Sequence, residues 1–134
     1  MNRDIKFRGF SPNEHGTKTI YLNGEEIKGE WVYWNVFGQI YRNGKIDKFM
    51  SIKDGETIIK ETVSQYTGLK DKNSKEIYIG DRLTTRLNET VKVASGKFGW
   101  CLINEKTNRI TTAHYIEHYE VIGNIYENPE LLEG

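Results

Sequence analysis

The sequence predicts a mainly β, β-rich α+β fold: an antiparallel hairpin meander followed by a small SH3-like or OB-like barrel and a short C-terminal helical turn. Three observations lead to this class. Glycine is frequent, with 13 residues, and proline is rare, with two. β-Branched and aromatic residues, which favour strands, are abundant. Short stretches of apolar and polar alternation recur between turn signals, as in small barrels. We place the meander at residues 1–65 and the barrel with its helical turn at 66–134.

The first strand and the turns after it define the meander. Ile5-Lys6-Phe7-Arg8 alternates, which predicts a strand with Ile5 and Phe7 toward the core and Lys6 and Arg8 in solvent. Residues 56–63 are ambiguous, because their charged residues suit a short helix whereas their five β-branched residues favour a strand; we predict a strand with a turn at its end. The dipeptides typical of tight turns are Asn23-Gly24, Asn43-Gly44 and Asp54-Gly55.

The stretch 29–34 has an unusual aromatic density. On a strand, Trp31 and Tyr33 point to one face, and Val32 and Trp34 to the other. One set fills the core. The other set packs on the second half of the chain, forms a subunit interface or stacks on nucleobases. Trp31, Tyr33 and Trp34 are therefore the candidate residues of a protein interface.

The second half carries the more regular alternation. The positions that share one face of each predicted strand are Leu83, Thr85, Leu87; Val91, Val93; Phe98, Trp100, Leu102; and Tyr119, Val121, Gly123, Ile125. The order Asn128-Pro129-Glu130 is typical of a helix start, and Leu131 and Leu132 would dock that helical turn on the sheet.

The segment 71–74 predicts a type I turn that opens the second half. Asp71 at its first position can accept backbone N–H groups. Its fourth position requires a positive φ, at a cost of about 1 kcal/mol for Ser74. Gly80-Asp81 then predicts a bulge or bend into the next strand.

Residues 65–81, QYTGLKDKNSKEIYIGD, resemble the characteristic segment of the YopX-type family of phage and prophage proteins. Ile5–Arg8, Gly29–Tyr33 and Val121–Leu132 are similar to the start, middle and end of that family. The resemblance implies a small, mainly β, phage-encoded protein with no assigned reaction, and it carries over no catalytic residue. Ser74 stands where the family tends to have Gly, and Ile79 where it tends to have Glu.

Three groups of residues could carry chemistry, and each has a structural alternative that we favour. Asp71, Glu76 and Asp81 could hold a metal or act as an acid–base pair, but such acids also cap turns. His114 and His118 have the helical spacing of metal ligands within a β-rich context. Cys101 lies in a strand without a neighbouring base, which favours a buried structural thiol.

Composition and charge limit the class of protein. The chain is 37% hydrophobic and 12% aromatic, which is typical of a folded domain and not of a disordered chain. A single cysteine excludes an internal disulfide and a cysteine zinc cluster, and we expect no cofactor. No segment approaches the roughly 18 apolar residues of a membrane span, and no signal peptide is visible, so a cytoplasmic protein is expected.

The charges are balanced overall, 19 basic against 19 acidic, but they are unevenly placed. Residues 82–109 hold six basic and two acidic residues, a net of +4, and residues 117–133 hold five acids and no Lys or Arg. This polarity suggests head-to-tail association or a phosphate-binding face. The candidate nucleic-acid face consists of Arg82, Arg86, Lys92, Lys97 and Arg109.

Together these features favour a non-enzymatic phage accessory protein that binds a host or phage protein, as a homo-oligomer. The alternative is a nucleic-acid-binding module that uses the basic face. A small metal-dependent enzyme that uses Asp71, Glu76 and Asp81 is the third hypothesis.

Overall fold

The structure is a computed structural model, and it describes residues 5–35, 49–51, 57–96, 99–111 and 115–129. Of these residues, about two thirds are in antiparallel strands and there is almost no helix, which confirms the β-rich class. Contacts divide the chain into two compact units, Met1–Gln65 and Tyr66–Gly134. The predicted turns at Asn43-Gly44 and Asp54-Gly55, and the helical turn beyond Pro129, lie outside the described residues.

The strands of the first unit are β1 Lys6–Pro12, β2 Lys18–Leu22, β3 Glu25–Asn35, β4 Phe49–Ser51 and the first part of β5 Thr57–Lys70. Their order in the sheet is β2-β3-β1-β5-β4. This order departs from a simple meander because β1 pairs with β3 on one side and with β5 on the other. The Asn23-Gly24 turn is confirmed: φ is 52° at Asn23 and 82° at Gly24, as a two-residue hairpin requires.

The strand predicted over 56–63 is present in β5, but it contains a bulge. The pair Arg8↔Ser64 is followed by Phe10↔Ile59, so β5 advances five residues while β1 advances two. Thr62 supplies hydrogen bonds where the main-chain ladder between β1 and β5 is interrupted. Its Oγ1 accepts the Phe10 N–H at 2.8 Å and donates to the Ile59 carbonyl at 2.6 Å. A buried hydroxyl thus replaces one main-chain partner.

The expected facing of the first strand is wrong at both ends. Ile5 is 42% exposed, whereas Arg8 is buried. The Arg8 guanidinium lies 4.8 Å from the Trp31 ring centroid, and its Nε donates to Ser64 Oγ at 3.3 Å. These two contacts allow a cation to lie where the alternation predicted solvent.

The second unit contains β6 Glu76–Tyr78, β7 Asp81–Thr84, β8 Thr90–Gly96, β9 Gly99–Asn104, β10 Arg109–Thr111, a 3₁₀ helix Ile116–His118 and β11 Glu120–Asn124. Five of these strands form a curled sheet in the order β10-β9-β8-β7-β11. The described residues form a curled half-barrel with β10 and β11 as its edges, which agrees with the predicted small barrel-like sheet. Its core contains Ile77, Leu83, Val91, Val93, Leu102 and Ile116.

The turn predicted at 71–74 is confirmed, with φ of 65° at Ser74. Asp71 Oδ1 accepts the N–H groups of Asn73 and Lys75 at 2.8 and 2.9 Å, and Oδ2 accepts that of Val121 at 2.9 Å. Burial raises the pKa of the Asp71 carboxyl, but these N–H groups, with the nearby Lys75 charge, outweigh burial and hold the pKa below its usual range. One carboxylate therefore ties the β5–β6 turn to β11.

Gly80-Asp81 forms the predicted bend. Gly80 has φ of 98°, donates its N–H to the Val93 carbonyl at 2.7 Å and accepts the Ile125 N–H at 3.0 Å. Asp81 Oδ2 accepts the Tyr78 N–H at 2.8 Å. The bend therefore joins β8 to the segment that follows β11.

Candidate binding groove

The aromatic strand β3 keeps most of its rings against neighbours in the first unit. Trp31 makes an edge contact with Phe10, with ring centroids 5.2 Å apart, and Trp34 stacks on Phe7 at 6.1 Å. Trp34 also packs against the buried Ile58. Tyr33 is 55% exposed. Of the three candidate interface aromatics, Tyr33 is exposed, whereas Trp31 and Trp34 are half-buried.

One described member of the predicted basic face is buried and not in solvent. Arg82 is 3% exposed, and its guanidinium donates to both carboxylate oxygens of Glu105 and to the Asn128 carbonyl. Lys92 Nζ lies 4.0 Å from Glu105. Including Arg82 in an exposed cationic face is therefore wrong, because a buried ion pair already uses its guanidinium. Lys97 lies outside the described residues.

Arg86 and Arg109, the other two members of the predicted set, line one groove of about 680 Å³ in the second unit. Its walls come from the β7–β8 turn, residues 85–89, from the β9–β10 hairpin, residues 104–111, and from residues 115–119. The structure thus brings together two of the five predicted basic residues at a concave site. Concave sites with a few polar groups are the usual location of binding.

The floor of the groove is a row of neighbours on three strands. Val91 pairs with Asn104, which pairs with Arg109, so their side chains share one face of the sheet. Val91 also belongs to the core. Asn104 Nδ2 donates to Glu89 Oε2 at 3.3 Å, which places an acid opposite the basic residues. The floor therefore combines an apolar base with one cation, one amide and one anion.

The rim of the groove carries apolar side chains that are mostly in solvent. Leu87 is 80% exposed, Ile110 is 73% exposed and Tyr115 is 54% exposed. The Arg86 guanidinium carbon lies 5.6 Å from the Tyr115 ring centroid, within the range of a cation–π contact. Clustered apolar side chains beside a concave floor are typical of an interaction site.

The β7–β8 turn explains how Arg86 and Leu87 reach the rim. Thr85 Oγ1 accepts the N–H groups of Leu87 and Glu89 at 3.2 and 3.1 Å, and Asn88 has φ of 62°. This is the geometry of the Asp71–Ser74 turn, with Thr85 and Asn88 in the corresponding places. The strand alternation predicted through Leu87 is wrong, because β7 ends at Thr84. The residue order TRLNE was the available signal, since Thr and Asn suit these turn positions.

The β9–β10 turn, NEKTN, was also missed. Asn104 Oδ1 accepts the N–H groups of Lys106 and Thr107 at 3.0 and 3.3 Å, and Asn108 has φ of 59°. The Asn108 N–H donates to the Asn104 carbonyl at 2.7 Å. This turn directs the chain back into β10 and places Arg109 beside Asn104.

Three of the residues considered for catalysis or metal binding accept hydrogen bonds within the fold. Asp71 and Asp81 accept main-chain N–H groups, and Glu76 accepts the Tyr78 hydroxyl at 3.0 Å. His118 lies beside the Tyr115 ring, with centroids 6.2 Å apart, and His114 is outside the described residues. Cys101 is half-buried on β9, whereas a fully buried thiol was expected. Among the described residues, no three His, Cys, Asp or Glu side chains are grouped to hold a metal.

Comparisons with known proteins cover nearly the whole chain. Residues 6–133 match the sequence profile of the family described as "YopX protein". The crystal structure of protein EF1440 from Enterococcus faecalis is similar, with 21% identity and a TM-score of 0.44, over 96% of this chain and 97% of that one. A search among curated proteins found no match. Within the part of the chain that the structure describes, no helix is long and apolar enough to cross a membrane.

Proposed function

This chain belongs to the YopX protein family, and from that premise we propose that it is a non-enzymatic, phage-encoded accessory protein of the host cytoplasm that binds an extended segment of another polypeptide. The binding site of the proposal is the groove of the second unit. The observation that carries it is the apolar rim of Leu87, Ile110 and Tyr115, which stands in solvent around a partly apolar floor.

The chemistry of the groove indicates the kind of segment that fits. Covering Leu87 and Ile110 would contribute about 1.5–3 kcal/mol for each side chain, before the costs of association. Arg86 and Arg109 outnumber the one acid in the walls, Glu89, so the groove carries a net positive charge. An extended segment with apolar and acidic side chains complements both properties.

Peptide selection on the purified chain tests this proposal. A random library of displayed peptides is selected on the wild-type protein, and the affinities of enriched peptides are measured by fluorescence anisotropy. We expect acidic–apolar sequences, and we expect Ile110→Asp and Arg109→Glu each to weaken their binding at least about tenfold, which is about 1.4 kcal/mol.

Tyr33→Ser is the matched control, because it removes an exposed aromatic from the first unit. Binding should be unchanged in this variant. Failure to enrich any peptide would refute the proposal. So would enriched peptides that bind both groove variants as tightly as the wild type.

A second candidate function is binding of single-stranded nucleic acid in the same groove. The observation that favours it is the Arg86 guanidinium beside the Tyr115 ring, with Arg109 in the same walls, since cations and a stacking ring are the usual elements of such sites. Two phosphate contacts predict a slope of log affinity against log salt of about −1.4. Absence of binding at about 50 mM salt, or a flat salt dependence, would rule it out.

A further inference from the structure

Residues 130–134 carry acidic and apolar side chains that complement the charge and the apolar rim of the groove. Residues 130–134, ELLEG, place two leucines between two glutamates, and they lie beyond the described residues. An extended segment points successive side chains to opposite sides. Either register of ELLEG therefore presents one leucine and one glutamate to the groove: Leu131 with Glu133, or Leu132 with Glu130.

We infer that the groove of one copy of this chain binds residues 130–134 of a second copy. This assignment rests on the proposed function, since it names the occupant of the same groove. The glutamate that faces the groove meets the positive charge of Arg86 and Arg109, and the leucine on the same side covers the apolar rim at Leu87 and Ile110. The match joins the basic region at 82–109 to the acidic region at 117–133, which the sequence keeps apart.

The place where the described chain ends favours a second copy over the chain's own groove. Leu83 points into the core together with Val91, and Val91 forms part of the floor of the groove. Arg82 is the preceding residue of β7, so it points to the opposite face. There its Nη1 donates to the Asn128 carbonyl at 2.5 Å. The terminal segment thus begins on the face of the sheet away from the groove floor.

The route to the groove of the same chain is also indirect. The five residues beyond Pro129 span at most about 17 Å when fully extended. Reaching the groove of the same chain means passing around the β11 edge and about 10 Å along β7, from Arg82 to Thr85. A second copy can approach the groove without this detour. Contacts of this head-to-tail kind generate rings or open chains of copies.

Exchange of charge between two variants tests the inference. One variant carries Arg86→Glu and Arg109→Glu, and the other carries Glu130→Lys and Glu133→Lys. Sedimentation velocity should show that wild type self-associates and that each variant alone needs about tenfold higher concentration or stays monomeric. Mixing the two variants should restore association, because each groove then meets a tail of opposite charge. A chain with Glu25→Lys and Glu26→Lys, exposed in the first unit, is the control and should associate like wild type.

The peptide YENPELLEG, labelled and titrated into the full-length variant with Glu130→Lys and Glu133→Lys, separates the remaining outcomes. Binding of this peptide, together with restored association in the mixture, supports the inference. If the wild type is monomeric and the peptide binds this variant but not the wild type, the segment occupies its own groove and the assignment to a second copy is wrong. If selected peptides bind the groove but YENPELLEG does not, the occupant is wrong and the proposed function stands. If neither the selected peptides nor YENPELLEG binds the groove, both the inference and the proposed function are wrong.

Discussion

Replacing Asp71 by asparagine tests the tie between the β5–β6 turn and β11. The carboxylate accepts three main-chain N–H groups, those of Asn73, Lys75 and Val121, at 2.8 to 2.9 Å. An asparagine keeps the size and one acceptor oxygen. If that oxygen retains the two turn bonds, the new amide N–H₂ faces the Val121 N–H, so one bond is lost and two donors meet. With about 1.5–3 kcal/mol for a bond to a charged group, we expect Asp71→Asn to lower the free energy of unfolding by about 2–4 kcal/mol.

Urea unfolding followed by tryptophan fluorescence at neutral pH measures this change. Glu26→Gln is the matched control, because Glu26 is exposed on β3, and it should change the free energy of unfolding by less than about 0.5 kcal/mol. A loss below about 1 kcal/mol for Asp71→Asn would refute the reasoning, since it would mean that the three N–H groups do not depend on the negative charge.

The dependence on pH gives a second check of the same carboxylate. Because its folded pKa lies below its unfolded pKa, the stability that Asp71 contributes is present above the unfolded pKa and is lost as pH falls through the folded one. The difference between wild type and Asp71→Asn should therefore be full at neutral pH and shrink below about pH 4. A difference that stays constant into strong acid would contradict the charged role.

Two further substitutions test local geometry by the same urea assay. Ser74→Gly should be neutral or stabilising by up to about 1 kcal/mol, because Ser74 has φ of 65°; a clear loss of stability would show that the side chain, not the backbone, matters there. Thr62→Val should lower the free energy of unfolding by about 1–3 kcal/mol, because it leaves the buried Phe10 N–H and Ile59 carbonyl without their hydroxyl partner. Thr62→Ser keeps the hydroxyl and should cost less than Thr62→Val, and equal losses would argue against the bulge contact.

Local turn chemistry was the most predictable part of this protein. The turns at Asn23-Gly24 and at 71–74 depend on residues that are adjacent in sequence, and both have the expected positive φ. The turns at 85–88 and 104–108 follow the same local rules. The first was missed because Leu83, Thr85 and Leu87 also satisfy a strand alternation. An alternation of side chains over so few residues fits a strand that continues and equally a strand that ends in a turn.

The candidate site was predictable only in part. Arg86 and Arg109 were identified by charge, but of the apolar rim only Leu87 was considered, as part of a strand, and Ile110 and Tyr115 were not singled out. Ile110 and Tyr115 come to the groove because β10 folds back on β9 and the 3₁₀ helix places Ile116 in the core. No pattern within a short window of sequence contains that arrangement.

The sequence by itself determined the β-rich class, the family membership and the turns, because alternation, glycine and asparagine placement, and family motifs act over a few neighbouring residues. Only the tertiary structure decided which charges stay in solvent. Arg82 is as basic as Arg86 in sequence, yet Glu105 and Asn128, 23 and 46 residues away, bury it and use its guanidinium. Burial of a charge depends on partners that the fold brings from distant positions, and those partners leave no local pattern.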